Sequence, residues 1–307
     1  MNLNPIINNF QRPIRKVQIC CILIFSCAAC SLNIPYENQY SDPDAITTVT
    51  AARELLASAY DAIPKPEFSL SVLSDDFQPT FLINLNADLN NLYKWHPKPM
   101  EDLSNSLWEK YYSVIAIANT VLERIHYVSP ISDSDKQELQ CIVSEAKTLK
   151  AYCYFNLLRL FAPTYPEGPE KDGIILKERF ELAFLKRSSI SECVNAIRQL
   201  LTEAVTVDNR PSQVYWFSRQ SAYYLLAALE LYAENYDKAE EYALKILSST
   251  NAYDVLAPVH YKKLWEQEPC EECIFSLHTT NSYYTDMNYE RKKGDYFTIN
   301  STLTQLY

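Results

Sequence analysis

The chain has 307 residues and a formal net charge of −10, with 38 acidic against 28 basic side chains. That balance argues against nucleic acid, whose phosphates are neutralised by Lys and Arg, and against an electrostatic hold on anionic lipid. Only three glycines occur, which disfavours a many-stranded fold whose tight hairpins need positive φ and favours helices joined by Pro and Asx turns.

In chain order, the first residues carry Arg12, Arg15 and Lys16 and no acid. An apolar run, Val17 to Ala29, is interrupted by Gln18 and Ser26 and ends in Cys27-Ala28-Ala29-Cys30. A basic stub, a short apolar run and small residues make the layout of a secretory signal. The run falls short of the about 20 apolar residues of a membrane-spanning helix. Ala28-Ala29-Cys30 resembles the bacterial lipobox, in which the signal is cut before the cysteine and the thiol is lipidated. Cys27 departs from that pattern, which usually has an aliphatic there. Residues 1–29 are therefore expected to be a lipoprotein signal peptide and Cys30 the lipidated residue; the alternatives are an ordinary signal peptide or a short anchor. Without the three cations of the leader, the mature net charge is −13. Residues 30–47 are polar and read as a tether.

From Thr48 the pattern is helical, and residues 48–307 read as one helical-repeat domain. Val49, Ala52, Leu55, Leu56 and Ala59 form one apolar stripe. Residues 63–105 read as irregular. Ser106 and Glu109 have the spacing of a capping box and are expected to open a helix with Leu107, Tyr111, Val114, Ile115, Ala118, Val121, Leu122 and Ile125 inward. A long helix is expected at about 134–161, stopped by Pro163. Ser189 and Glu192 cap a further helix. The clearest pair runs from 218 to 249, and its Tyr236-Asp237-Lys238-Ala239 followed by Ala243 resembles the second helix of a tetratricopeptide repeat. Such pairs stack on neighbours because they cannot bury their apolar faces alone. Strand is expected only in short pieces near 273–278. Cys141, Cys153 and Cys193 fall at apolar helical positions. Cys270-Glu271-Glu272-Cys273 has zinc-like spacing, with His260 and His278 as the only local partners. A single such pair is a weak signal, so no metal is expected; a disulfide and two ordinary thiols both stay open.

Several separated motifs, in order, resemble the SusD/RagB family of outer-membrane lipoproteins. They are Trp108, Tyr111, Ile115 and Asn119 with Leu122-Glu123; Glu145-Ala146-Lys147 leading through Leu149-Lys150-Ala151-Tyr152 to Tyr154-Phe155 and Leu157; Arg187-Ser188-Ser189; the 218–249 pair; and Glu272-Cys273-Ile274-Phe275-Ser276. Lys150 stands where the family usually has Arg. The resemblance covers the mature chain. Family members are longer, so the end at Leu306-Tyr307 reads as a truncated gene, a fragment or a split member. The resemblance implies an all-α-dominated scaffold with minor strands. It also implies a cell-surface, lipid-anchored role in which oligosaccharide or peptide is captured and passed to a TonB-dependent, SusC-like outer-membrane channel.

No cofactor and no catalytic residue is expected: no nucleophile–base motif and no Gly-rich phosphate loop is visible. A helical scaffold that binds a protein partner and no nutrient is the competing class. For a glycan, a site should mix aromatic rings, which suit the C–H faces of sugars, with amides and charged groups for the hydroxyls. Two segments have that mix and are expected to be loops. One carries Asn90, Asn91, Tyr93 and Trp95; the other carries Tyr283, Tyr284 and Arg291.

Overall fold

A computed structural model gives the fold. It describes residues 46–74, 77–179, 184–249, 273–277 and 297–299. All of these belong to one compact unit, Asp44–Tyr307.

Helix α1 (Val49–Asp61) starts where the Thr48 hydroxyl accepts from the Ala51 amide at 3.1 Å. Its buried face is built largely from Ala51, Ala52, Leu56 and Ala59, and the three alanines let α1 approach its neighbours closely. Two short helices, α2 (Glu67–Leu73) and α3 (Ala87–Tyr93), lie in the stretch that reads as irregular from sequence. Each spans about two turns, too short for a periodic stripe. With a 3₁₀ turn at Phe81–Leu85 they form a minor core of their own around Val72, Ile83 and Leu92.

Helix α4 runs from Pro97 to Arg124. The expected start at Ser106 is therefore corrected: Ser106 and Glu109 lie inside the helix. Its first residue is Pro97, whose missing N–H and fixed φ suit that position. Helix α5 (Asp133–Phe161) is capped by Ser132, whose hydroxyl accepts from the Asp135 amide at 3.1 Å. Asp133 and Asp135 in its first turn and Arg159 in its last complement the helix dipole. This helix is the axis of the molecule and packs against α1, α4, α6 (Ile190–Ala204) and α7 (Arg219–Tyr232). Ile142, Ala146, Leu149, Cys153 and Leu157 are fully buried along it. The Ser189–Glu192 capping box forms as expected, with reciprocal bonds of 3.2 and 2.7 Å. Helices α7 and α8 (Tyr236–Leu247) make the expected antiparallel pair. The all-α-dominated reading holds.

Strand placement differs from expectation. Residues 273–277 form no strand. Phe275 stacks on Phe217 at 4.2 Å. The Ser276 amide donates to the Val214 carbonyl, and the Ser221 hydroxyl donates to the Ile274 carbonyl. The segment thus bonds to the α6–α7 connection and the start of α7 instead of a neighbouring strand. The described strands are β1 (Phe77–Pro79) and β2 (Phe297–Ile299), antiparallel with Phe77 opposite Ile299.

An extended strap crosses the α4–α5 surface at residues 173–177. The Tyr112 hydroxyl bonds both backbone groups of Ile175, and the Tyr154 hydroxyl bonds both of Lys177. The Gly173 amide donates to the Ser188 carbonyl at 2.7 Å. A Cβ at Gly173 would lie 2.8 Å from Cys193 Sγ and 3.0 Å from the Ser188 carbonyl, so only glycine fits this approach. Arg187 closes the strap. It donates to the carbonyls of Phe161 and Gly173, and its guanidinium lies 5.0 Å from the centre of the Trp108 ring.

Candidate functional site

The candidate surface is the small cap formed by the 3₁₀ turn and α3. The Asn86 side chain accepts from the Leu89 amide at 3.1 Å and so starts α3. The expected loop around Asn90, Asn91 and Tyr93 is therefore corrected to a helix. Its apolar positions, Leu89, Leu92 and Tyr93, turn toward the minor core with Phe68, Phe77, Met100 and Leu103. That leaves Asn90 and Asn91 half-buried, with the Asn90 side-chain Nδ2 donating to the Asn84 side-chain Oδ1 at 3.4 Å.

Helix α3 ends in a Schellman turn. The His96 amide donates to the Asn91 carbonyl and the Trp95 amide to the Leu92 carbonyl, both at 2.9 Å. This closure places the residue after the cap in the left-handed region, a position where glycine is usual. Here it is Trp95, at φ 58°, with 62% of its surface exposed. The same turn ends α7, where Glu234 takes φ 58°. For a residue with a Cβ this conformation costs about 1–2 kcal/mol. In a chain with three glycines, two left-handed caps are filled by larger residues, and one of them projects an indole into solvent. The structure thus brings Asn90, Asn91, Tyr93 and Trp95 together on one cap. Tyr283, Tyr284, Arg291, Cys270 and Cys30 lie outside the described residues.

Sequence reasoning picks out Glu145 but not its partners. Glu145 is buried and receives Arg53 at 2.8 Å, the Asn209 amide at 3.2 Å and the Tyr60 hydroxyl at 3.4 Å. Tyr60 in turn accepts from the Phe217 amide, and Arg53 covers the Trp216 ring at 5.0 Å. Burial raises the Glu145 carboxyl pKa, and Arg53 only partly offsets it. Arg53 and Tyr60 come from α1, Glu145 from α5 and Asn209 from the α6–α7 connection, so no local spacing signals the whole cluster. Its donors and acceptors are met internally, which makes it the polar lock between α1, α5 and the α6–α7 connection. Asn119 is buried too, but only half matched: its side-chain amide N–H donates to the Lys177 carbonyl at 3.0 Å, while its side-chain oxygen meets no partner among the described residues.

An open cleft of about 620 Å³ lies between the first turns of α5 and residues 206–208. Its lining includes Gln137, Gln140, Cys141 and Asp208 and no aromatic residue, so it offers no ring for stacking. Among the described residues no group of three or more His, Cys, Asp or Glu is placed to hold a metal.

Residues 35–231 match the SusD-like family described as starch-binding and associating with the outer membrane, and the chain belongs to that family. A SusD-like protein of Formosa agariphila is 25% identical over 232 residues, which is 73% of this chain and 42% of the relative. A SusD superfamily structure from Bacteroides vulgatus superposes with a TM-score of 0.64 at 22% identity, over 76% of this chain and 55% of that one. A laminarin-binding SusD-like protein superposes with a TM-score of 0.57 at 23% identity, over 72% and 48%. The chain spans about half the length of these relatives.

Proposed function

We propose that this protein binds glycan at the bacterial cell surface as a lipid-anchored, non-enzymatic receptor, with Trp95 as the stacking residue of its site. The observation that carries the reading is Trp95 itself, a largely exposed indole held in a strained backbone conformation on an ordered cap. Strain of this kind clusters at functional sites. An indole face suits the C–H side of a sugar ring, and the carboxamides of Asn90 and Asn91 can both donate to and accept from hydroxyls. Family membership and the laminarin-binding relative support carbohydrate over peptide as the ligand. The family description supports an outer-membrane setting. In this reading Cys30 carries the lipid and a SusC-like TonB-dependent channel receives the ligand.

An exposed, shallow platform favours weak binding, about 10 μM to 1 mM, or roughly 4–7 kcal/mol. Titration calorimetry of wild type and Trp95→Ala against starch- and laminarin-derived oligosaccharides tests the proposal. Wild type binds one series, and the variant binds it at least several-fold more weakly with an unchanged helical spectrum. Equal affinities with a lowered melting temperature would reduce Trp95 to a packing residue.

A further inference from the structure

We infer that the seam between α4, α5 and the strap holds one buried water molecule, which accepts a hydrogen bond from the Lys150 ammonium and donates one to the Asn119 side-chain oxygen. Asn119 is 1% exposed. Its Nδ2 faces the Lys177 carbonyl, which can only accept, so its Oδ1 points away from that bond. That Oδ1 is buried and has no partner among the described residues, whereas buried polar atoms in native folds are met by protein or by ordered water. Lys150, on α5, is 7% exposed. Among the described residues its ammonium forms no hydrogen bond or ion pair; it faces the Tyr154 ring, 5.7 Å from the centre. One seam thus contains an unused donor and an unused acceptor.

The Lys177 carbonyl joins the two sides. It accepts from Asn119 of α4 and from the Tyr154 hydroxyl of α5, so these side chains meet at one level of the seam. Lys150 lies one turn before Tyr154, about 6 Å along the axis, roughly the length of two hydrogen bonds end to end. The charges that act on its ammonium are Glu178, the residue after Lys177, and Glu123, one turn beyond Asn119 on α4. Lys150 therefore looks into the same seam from the α5 side. Chemistry then selects the occupant. An anion would suit the ammonium but oppose the lone pairs of Asn119. A metal ion would suit those lone pairs but oppose the ammonium. Water accepts from one and donates to the other, and a buried water needs only two to four such partners.

A crystal structure of the wild-type protein, at a resolution that shows ordered solvent, is the direct test. One water should lie within hydrogen-bonding distance of both Asn119 Oδ1 and Lys150 Nζ. An Oδ1 with no water, a water that reaches only one of the two atoms, a direct bond between Lys150 and Asn119, or an ion in that place would each overturn the assignment. Urea denaturation of Lys150→Met, Asn119→Leu and the double variant gives a second readout, in solution. Groups that share a water are coupled, so the change in the folding equilibrium constant of the double variant should differ from the product of the two single changes by more than about twofold. Agreement within that margin, the scatter expected of independent sites, would overturn the bridge. The wild-type structure decides the matter even where a variant fails to fold.

Discussion

The Tyr154 hydroxyl accepts from the Lys177 amide at 2.8 Å and donates back to the Lys177 carbonyl at 2.7 Å. One side chain thereby does for this residue what a neighbouring strand would do. Tyr112 repeats the arrangement at Ile175, with 3.0 and 2.8 Å. Tyr154→Phe keeps the ring in the core but strips the Lys177 amide of its partner, whereas the carbonyl keeps Asn119. Leaving a buried donor unpaired costs about 1–3 kcal/mol. Urea denaturation should show a loss in that range for Tyr154→Phe and a similar one for Tyr112→Phe. An unchanged midpoint would mean that water replaces the hydroxyl without penalty.

A second expectation concerns Lys150, which is buried with its ammonium 5.7 Å from the centre of the Tyr154 ring. Burial lowers its pKa to about 8, against the opposing pull of Glu178 and Glu123. The folded pKa lies below the unfolded value of about 10.4. Between these pH values the unfolded chain binds more protons, so the protein gains stability as pH rises through that window and loses it as pH falls through about 8. The full effect is at most about 3 kcal/mol. Lys150→Met should raise the melting temperature at pH 7, and its advantage should shrink toward pH 10. A pH-independent difference would show that the ammonium is better solvated than its burial implies.

The left-handed caps give a third, two-sided expectation. Glycine relieves the strain at such a position but gains freedom in the unfolded chain, so the net stabilisation is about 0.5–1 kcal/mol. Trp95→Gly should stabilise the fold and weaken glycan binding together. Glu234→Gly should stabilise to a similar degree and leave binding unchanged. Destabilisation by Trp95→Gly would show that the indole holds the cap together.

The proposed lipidation is tested at Cys30. Labelled palmitate should enter the protein in its native host, and Cys30→Ser should abolish the label and release the chain from membranes. Label retained in the variant would exclude Cys30.

The long helices were legible because each carries its own period and punctuation. Thr48 caps α1, Ser189 and Glu192 box the start of α6, and Pro163 follows the end of α5. The start of α4 was misread because Ser106 and Glu109 have the spacing of a cap while the true start uses Pro97. The cap of α2 and α3 was invisible for a different reason: Val72, Ile83 and Leu92 find each other across elements, not along one. At the candidate site the residue types could be read and their arrangement could not. Sequence gives no sign that Trp95 takes a conformation usually left to glycine, because the bonds that force it run to Leu92 and Asn91 within the fold.

The strap at 173–177 has a consequence for how this family's connections can vary. Its two tyrosine anchors grip residues two apart, Ile175 and Lys177, and extended backbone alternates sides with every residue. Inserting or deleting one residue between them would turn the amide and carbonyl of one anchored residue away from its hydroxyl. Change by pairs would preserve the phase. Odd changes of length among functional homologues should therefore be excluded between the anchors and tolerated outside them, and a library of single and double insertions scored by folded yield would reveal an odd–even pattern.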